Sequence, residues 1–221
     1  MKQADLRAAV LISGTGSNLK ALITAVQEEG LALNIVRVVS NRAEAPGIGH
    51  ARQAGIPVSV ISHADFPDRQ THDAAVMAAL QPDRVELIVL AGYMRILGEE
   101  FTRRYSGRMI NLHPALLPLY KGLDTYNRAL QAGDKETGAS IHIVTAGLDS
   151  GPVISQVRIP IMPGDDAQSL AARLGPLEHK LVVATVELFC QRKVHYEQGR
   201  VFHQGRPLKE PLLLKHDGTF H

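Results

Sequence analysis

Short, continuous apolar runs alternate with segments of helical period through the first half of the chain. Ala8 to Ile12, Ile35 to Val39, Val58 to Ile61, Glu86 to Ala91 and Arg108 to Asn111 read as five strands. Unbroken apolarity marks a strand buried on both faces, so the fourth run, the most apolar, is expected at the centre. Between the first two, Leu19, Leu22, Ile23 and Val26 recur at helical spacing, and Gly30 stops the pattern. Further helices are predicted from Ala45 to Ala54, closed by Gly55, from Asp68 as N-cap to Leu80, and over Phe101 to Tyr105. Repeated βα units with short links predict an α/β fold, a Rossmann-like, mostly parallel sheet with helices on both faces.

The pattern changes after Pro118. Asp124 to Ala132 reads as a helix ended by Gly133-Asp134. Ala139 to Val144 and Val153 to Ile159 then alternate with period two. These are antiparallel strands added in the C-terminal half and joined through Thr145 to Pro152. A long helix is expected from Asp166 to Gln191, kinked or broken at Gly175-Pro176, because an uncompensated proline costs a helix interior about 3 kcal/mol. From Lys193 onward a small hairpin, turned at Gly199-Arg200, and a loose polar tail are expected.

Composition narrows the function classes. The chain has 221 residues, 45% hydrophobic and 21% charged, enough for a sizeable core. A formal net charge of +2 is too small to argue for nucleic acid. The single cysteine, Cys190, excludes an internal disulfide and a multi-cysteine zinc site. It falls in an apolar run, which predicts a buried, inert thiol. The N-terminal stretch from Met1 to Arg7 is charged, and the apolar run after it is too short for a signal-peptide core or a membrane span. A cytoplasmic, reducing location follows as an expectation. The ten histidines show no metal-binding spacing.

Three stretches are candidates for chemistry. Ser13-Gly14-Thr15-Gly16-Ser17-Asn18 links a strand to a helix. Small residues let backbone N–H groups approach an anion, and the helix N-terminus adds positive potential. A dinucleotide site does not fit. Leu19 stands at the third glycine position, and Ser40-Asn41-Arg42 ends the second strand without an acid for a ribose hydroxyl. A Walker lysine is also missing. A phosphate monoester suits the loop, with Ser17 and Asn18 as added donors; a tight βα turn is the plain alternative.

The second stretch is Asn111-Leu112-His113-Pro114. Residues two apart on a strand end point to the same side, and Pro114 bars further strand. The pair is either an amide beside a titratable imidazole at a strand terminus or simple loop chemistry. The third is Asp149, isolated between glycines in the loop after the sixth strand, where turn chemistry alone is a sufficient explanation. Met94-Arg95-Ile96-Leu97 follows the fourth strand and reads as core or as the wall of a pocket for a flat ligand.

Taken together, these motifs resemble the phosphoribosylglycinamide formyltransferases, folate-dependent enzymes of purine biosynthesis. The resemblance covers residues 8–191, in order, through Ile12 to Leu19, Met94 to Leu97, Asn111 to Pro114 and Leu148 to Pro152. It implies formyl transfer from 10-formyltetrahydrofolate, a co-substrate, to the amine of 5-phosphoribosylglycinamide, with no metal. It implies Asn111, His113 and Asp149 as catalytic residues. Thr15, Gly16, Ser17 and Asn18 would hold the ribonucleotide phosphate, and Glu178 its ribose or glycinamide end. Arg69 would lie near the folate's glutamate tail. Met94, Arg95, Ile96 and Leu97 would line the pterin pocket, with Val144 to Asp149 as the opposite wall, and Asn111 would also contact the folate.

The same resemblance divides the chain into a domain of residues 1–192 and a C-terminal hairpin and tail, 193–221. Within the domain, 1–105 would bind phosphate and substrate, and 106–192 would carry catalysis and folate. Small-molecule substrates are expected, without nucleic acid or membrane, for a monomer or weak homodimer. Family members often carry histidine where this chain has Asp124 and Tyr126, so a proton relay there is not implied. Asp124 reads instead as a helix N-cap, and His142 as a structural histidine on its strand. His50, His63 and His72 are expected on or near the surface. The rival readings are a formyltetrahydrofolate hydrolase, an enzyme formylating a sugar nucleotide or initiator tRNA, and an inactive folate-binding protein. The phosphate loop argues against the first two, as does the expectation of no regulatory domain before it and no long basic domain after it. The intact Asn111, His113 and Asp149 argue against the last.

Overall fold

A computed structural model describes residues 4–215 and 217–220. Met1 to Gln3, which open the charged N-terminal stretch, and His216 and His221 of the tail lie outside the described residues. Strands β1 (Leu6–Ile12), β2 (Leu33–Ser40), β3 (Val58–Val60), β4 (Leu87–Leu90) and β5 (Met109–His113) pair in parallel in the order β3-β2-β1-β4-β5. Between them run α1 (Ser17–Glu28), α2 (Gly47–Gln53), α3 (Arg69–Leu80) and α4 (Glu99–Arg104). The strand side-chain period of two feeds two cores. Ala8, Val10 and Ile12 of β1 pack on the face of α1 and α2, with Leu19, Leu22 and Ile48. Ala9 and Leu11 pack on the other face with Val76, Leu80 and Phe101 of α3 and α4. All four residues of β4 are buried, in keeping with its central place.

The C-terminal half adds α5 (Thr125–Ala132), β6 (Glu136–Ile143), β7 (Val153–Pro160) and α6 (Ala167–Cys190). β6 runs antiparallel to both β5 and β7. The last elements are β8 (Val194–Glu197), β9 (Arg200–His203), β10 (Arg206–Pro207) and β11 (Leu212–Leu213). β8 to β10 form a separate three-stranded antiparallel sheet.

Four expectations change. The hairpin turns at Gln198-Gly199, where both residues have positive φ (49° and 81°), because Arg200 is already paired with Glu197. The tail is not loose throughout, since β11 adds to the main sheet in parallel with β7. α6 is not broken and runs as one helix through Pro176. Ala172, whose carbonyl loses its partner at residue 176, is exposed, so water can replace the missing donor. His72 is fully buried, with Nε2 3.0 Å from the Ile61 carbonyl. Other local readings hold: Asp68 caps α3 by accepting from the Thr71 N–H, and Cys190 is buried, its thiol pushed up to about 11 by burial.

One buried polar cluster fixes the chain after β5. Ser140 lies opposite His113 in the β5–β6 ladder. Its hydroxyl donates to the Ala115 carbonyl at 2.7 Å and accepts from the Leu117 N–H and Gln156 Nε2, each at 3.0 Å. Gln156 Nε2 also donates to the Leu117 carbonyl. The turn through Pro114 and the cis Leu117–Pro118 peptide is thereby held against β6 and β7. Ser140→Ala should lower the unfolding free energy by about 1–3 kcal/mol, because it leaves buried backbone groups unpaired. Urea unfolding checks this; an unchanged midpoint would contradict the assignment of that cluster as a structural clamp.

Candidate active site

The site is built where the strand order changes direction, at the carboxyl ends of β1 and β4, a place where open α/β sheets form clefts. Ser13 ties those ends together. Its N–H donates to the Gly92 carbonyl at 3.1 Å, and its hydroxyl donates to Asn41 Oδ1 at 2.6 Å while accepting from the Met94 N–H at 2.8 Å. The chain then turns through Gly16 in the left-handed region, φ 71°. A Cβ there would stand 2.6 Å from the Gly47 Cα, and the Gly47 N–H donates to the Gly14 carbonyl at 3.0 Å. Two glycines thus pack the loop onto the start of α2. α1 begins at Ser17 with no side-chain cap, so its first N–H groups are available to an anion. Thr15 and Ser17 are exposed, and the Asn18 side-chain oxygen is buried without a partner.

Asn111 is level with Leu90, the last residue of β4, and β5 runs on to His113. The β6–β7 loop returns to meet them. Asp149 sits in the left-handed region, φ 43°. Gly151 makes this return possible: a Cβ there would fall 1.8 Å from the Ile143 carbonyl oxygen. The Ile143 N–H donates to the Pro152 carbonyl at 3.0 Å, which ties the end of the loop back to β6. Asp149 Oδ2 accepts from the Gly122 N–H at 2.9 Å and lies 3.4 Å from His113 Nδ1. Asp149 Oδ1 lies 3.4 Å from His142 Nε2 and 3.5 Å from Asn111 Nδ2.

His113 is buried, with Nε2 2.9 Å from the Tyr120 carbonyl. A carbonyl only accepts, which puts the proton of the neutral ring on Nε2 and leaves Nδ1 bare toward Asp149. Burial lowers the His113 pKa below its ordinary value; the Tyr120 carbonyl and the Asp149 charge push it back up without overcoming that, and His142 and Arg128 reinforce the lowering. Burial raises the Asp149 carboxyl, but the His142 contact, the Gly122 N–H and the two imidazoles outweigh it, and the net shift is downward. The resting pair is an ionised acid beside a neutral imidazole. In the sequence the sign of the His113 shift was open; desolvation wins.

His142 was expected to be structural and is part of this cluster. Its Nδ1 lies 2.9 Å from the Ile143 carbonyl, and its Nε2 lies 3.1 Å from Asn111 Nδ2 and 3.4 Å from Asp149 Oδ1. The signal is register: His142 is the direct cross-strand partner of Asn111, which no reading of one strand alone contains. Asn111 therefore spends its amide donors on His142 and Asp149. Asp124 is also corrected. It occupies the N-cap position of α5 in the left-handed region, yet its side chain makes no cap; Oδ1 accepts from Asn127 Nδ2 instead.

A model of the formyl transferase family matches residues 6–186. The chain belongs to the formyl transferase family. It is 38% identical over 199 residues to the phosphoribosylglycinamide formyltransferase of Escherichia coli K12, covering 90% of this chain and 94% of that protein. It is 48% identical over 181 residues to the trifunctional purine biosynthetic protein adenosine-3 of Drosophila melanogaster, covering 81% of this chain but only 13% of that much longer protein. Among solved structures, the phosphoribosylglycinamide formyltransferase of Coxiella burnetii superposes with a TM-score of 0.89 at 46% identity, over 92% of this chain and 96% of that one.

In this formyl transferase the remaining expected site residues separate into exposed and buried sets. Met94 (62%), Ile96 (46%) and Leu148 (48%) expose large apolar side chains, as do Leu119 and Leu123 on the β5–α5 loop. Apolar surface gathered on loops around a polar cluster suits a flat ligand. Leu97 is buried in the core of α3 and α4, and Val144 packs against that core half-buried. Arg95 is half-buried, its Nε without a partner. Arg69, at the start of α3, lines a cavity of about 440 Å³ with Asp73 and Gly98. Among the described residues no group of three or more His, Cys, Asp or Glu is placed to hold a metal ion.

Glu178 lies on the core-facing stripe of α6, four residues after Leu174 and three before Leu181, both fully buried. Burial pushes its carboxyl up to about 7, with the Tyr126 hydroxyl acting the other way. Below about 4.5, the ordinary value, folded and unfolded chains both hold the proton; as pH rises toward 7 only the unfolded chain releases it, so the folded state loses stability across that window. Glu178→Gln does not titrate and should therefore gain on the parent protein by on the order of 2–3 kcal/mol between about pH 5 and pH 8. Urea unfolding at both pH values checks this; a gap that stays constant with pH would contradict it.

Proposed function

We propose that this formyl transferase moves a formyl group from N10 of 10-formyltetrahydrofolate to the amine of 5-phosphoribosylglycinamide, a step of purine biosynthesis. The observation that carries the reading is that one sheet joins two different sites. An uncapped helix N-terminus follows β1, and a buried imidazole–carboxylate pair closes β5, with only β4 between the two strands. The first suits a phosphate monoester, the second a proton transfer. Relatives named phosphoribosylglycinamide formyltransferase match nearly end to end, which supports the same acceptor.

The chemistry has three demands. The amine nitrogen attacks the formyl carbon, the C–N10 bond breaks, and charge gathers meanwhile on the formyl oxygen. The amine must lose one proton and N10 must gain one. Neutral His113 can accept a proton at Nδ1, and Asp149 then faces an imidazolium instead of a lone pair. The same ring can return the proton to N10. Asn111 supplies a donor to the oxygen. Its contact to Asp149 is long at 3.5 Å, so exchanging it for a developing oxyanion loses little. Thr15, Gly16, Ser17 and Asn18 hold the phosphate, Glu178 the ribose or glycinamide end. Arg69, Met94, Arg95, Ile96, Leu97 and Val144 take the folate.

No helix among the described residues is long and apolar enough to cross a membrane. We propose cytoplasmic small-molecule chemistry for a monomer or weak homodimer. A second reading, hydrolysis of formyltetrahydrofolate, draws on a formyltetrahydrofolate deformylase from Burkholderia mallei that superposes with a TM-score of 0.81 at 28% identity, a more distant match than the transferases. Turnover of 10-formyltetrahydrofolate with and without the ribonucleotide separates them. The proposal expects release of tetrahydrofolate only when the ribonucleotide is present; release without it would favour the hydrolase, and binding without release an inactive protein. His113→Ala should lower kcat by about 10²- to 10⁴-fold, the usual worth of a positioned acid–base group, with folate binding retained. Unchanged turnover in that variant would sink the mechanism.

A further inference from the structure

Glu178 has a neighbour that the proposed chemistry does not use. Its Oε1 lies 3.5 Å from the Tyr126 hydroxyl. Tyr126 stands in the first turn of α5, and α5 packs against α6. The tyrosine ring is half-buried against the main core, and burial and the nearby carboxyl raise its hydroxyl well above the ordinary tyrosine value. It is therefore a hydrogen-bond donor at any pH at which the protein works. A carboxyl on the core-facing stripe of a helix needs a partner, because a buried acceptor left unpaired is costly. α6 also packs against α1, which follows the proposed phosphate loop. α5 follows directly on the loop whose Gly122 N–H holds Asp149. The Tyr126–Glu178 contact thus joins the helix that would carry the ribose-facing acid to the segment that orders the proton-transfer pair.

We propose that Tyr126 is a positioning residue for ribonucleotide binding, its hydroxyl fixing the direction of the Glu178 carboxyl without touching the reacting atoms. The inference rests on the formyl-transfer reading given above. It assigns Tyr126 a role in affinity for one substrate of two. A tyrosine that merely filled space would not show that division.

Steady-state kinetics of Tyr126→Phe, which removes one oxygen and keeps the ring, provide the test. The KM for 5-phosphoribosylglycinamide should rise about two- to fivefold, the lower end of the range for loss of one hydrogen bond because the contact is long, while kcat and the KM for 10-formyltetrahydrofolate stay unchanged. In a Glu178→Gln background the same change should have less than about half that effect, since the carboxyl it positions is gone. An unchanged ribonucleotide KM, equal rises in both KM values, or the full effect persisting in the Glu178→Gln background would each overturn the proposal. Thermal unfolding of the variant separates misfolding from these outcomes. If the parent protein shows no ribonucleotide-dependent turnover, the functional reading is what has failed. The contact is then read by carbon NMR titration of Glu178, whose midpoint should move upward in Tyr126→Phe. No movement there would overturn the positioning role as well.

Discussion

A single carboxylate organises the centre of this protein. Asp149 faces two imidazoles, accepts a backbone N–H and lies at the edge of contact with an amide, all in a largely buried site. An unpaired charge in such a place is expensive, and the His142 contact and the Gly122 N–H are what chiefly offset that cost. In return the acid governs both rings. It makes the imidazolium of His113 accessible from a neutral resting state, and it shares with Asn111 the Nε2 edge of His142. Remove the carboxylate and the cluster loses the charge that gives it direction.

The fold serves that carboxylate in three ways. The parallel half brings β4 and β5 side by side, which sets Asn111 and His113 on one side of an extended end. The switch to antiparallel pairing at β6 places His142 across from Asn111. The loop to β7 then returns close enough to deliver Asp149 only because Gly151 lacks a side chain under the Ile143 carbonyl. The Ser140 clamp fixes the turn after Pro114, from which Tyr120 offers its carbonyl to His113. The uncapped start of α1 is separate in sequence but tied to the same sheet edge through Ser13.

Much of this was legible in the sequence. The buried strands were marked by apolar runs, α1 and α3 by their helical period, the tight turn before α1 by its glycines, and the Asn111 and His113 pair by spacing. The antiparallel addition was marked by its change of period. What was not legible depended on pairing across strands or on a balance of opposed terms. His142 looked like an ordinary strand residue because its partner, Asn111, is 31 positions away. The sign of the His113 shift needed a burial that only the packed protein has. Asp124 failed as a side-chain cap because the backbone arrives there left-handed, and Pro176 failed to break α6 because the carbonyl it strips belongs to the exposed Ala172. Leu212 and Leu213 carry too short a pattern to announce a strand.

The central claim is that Asp149 sets the proton affinity of His113 during turnover. The dependence of kcat on pH, compared between the parent protein and Asp149→Asn, tests it most directly. Losing the negative charge makes the imidazolium harder to form. The account predicts a lower maximal rate and an acid limb moved to lower pH. Superimposable profiles, or a limb moved to higher pH, would contradict it.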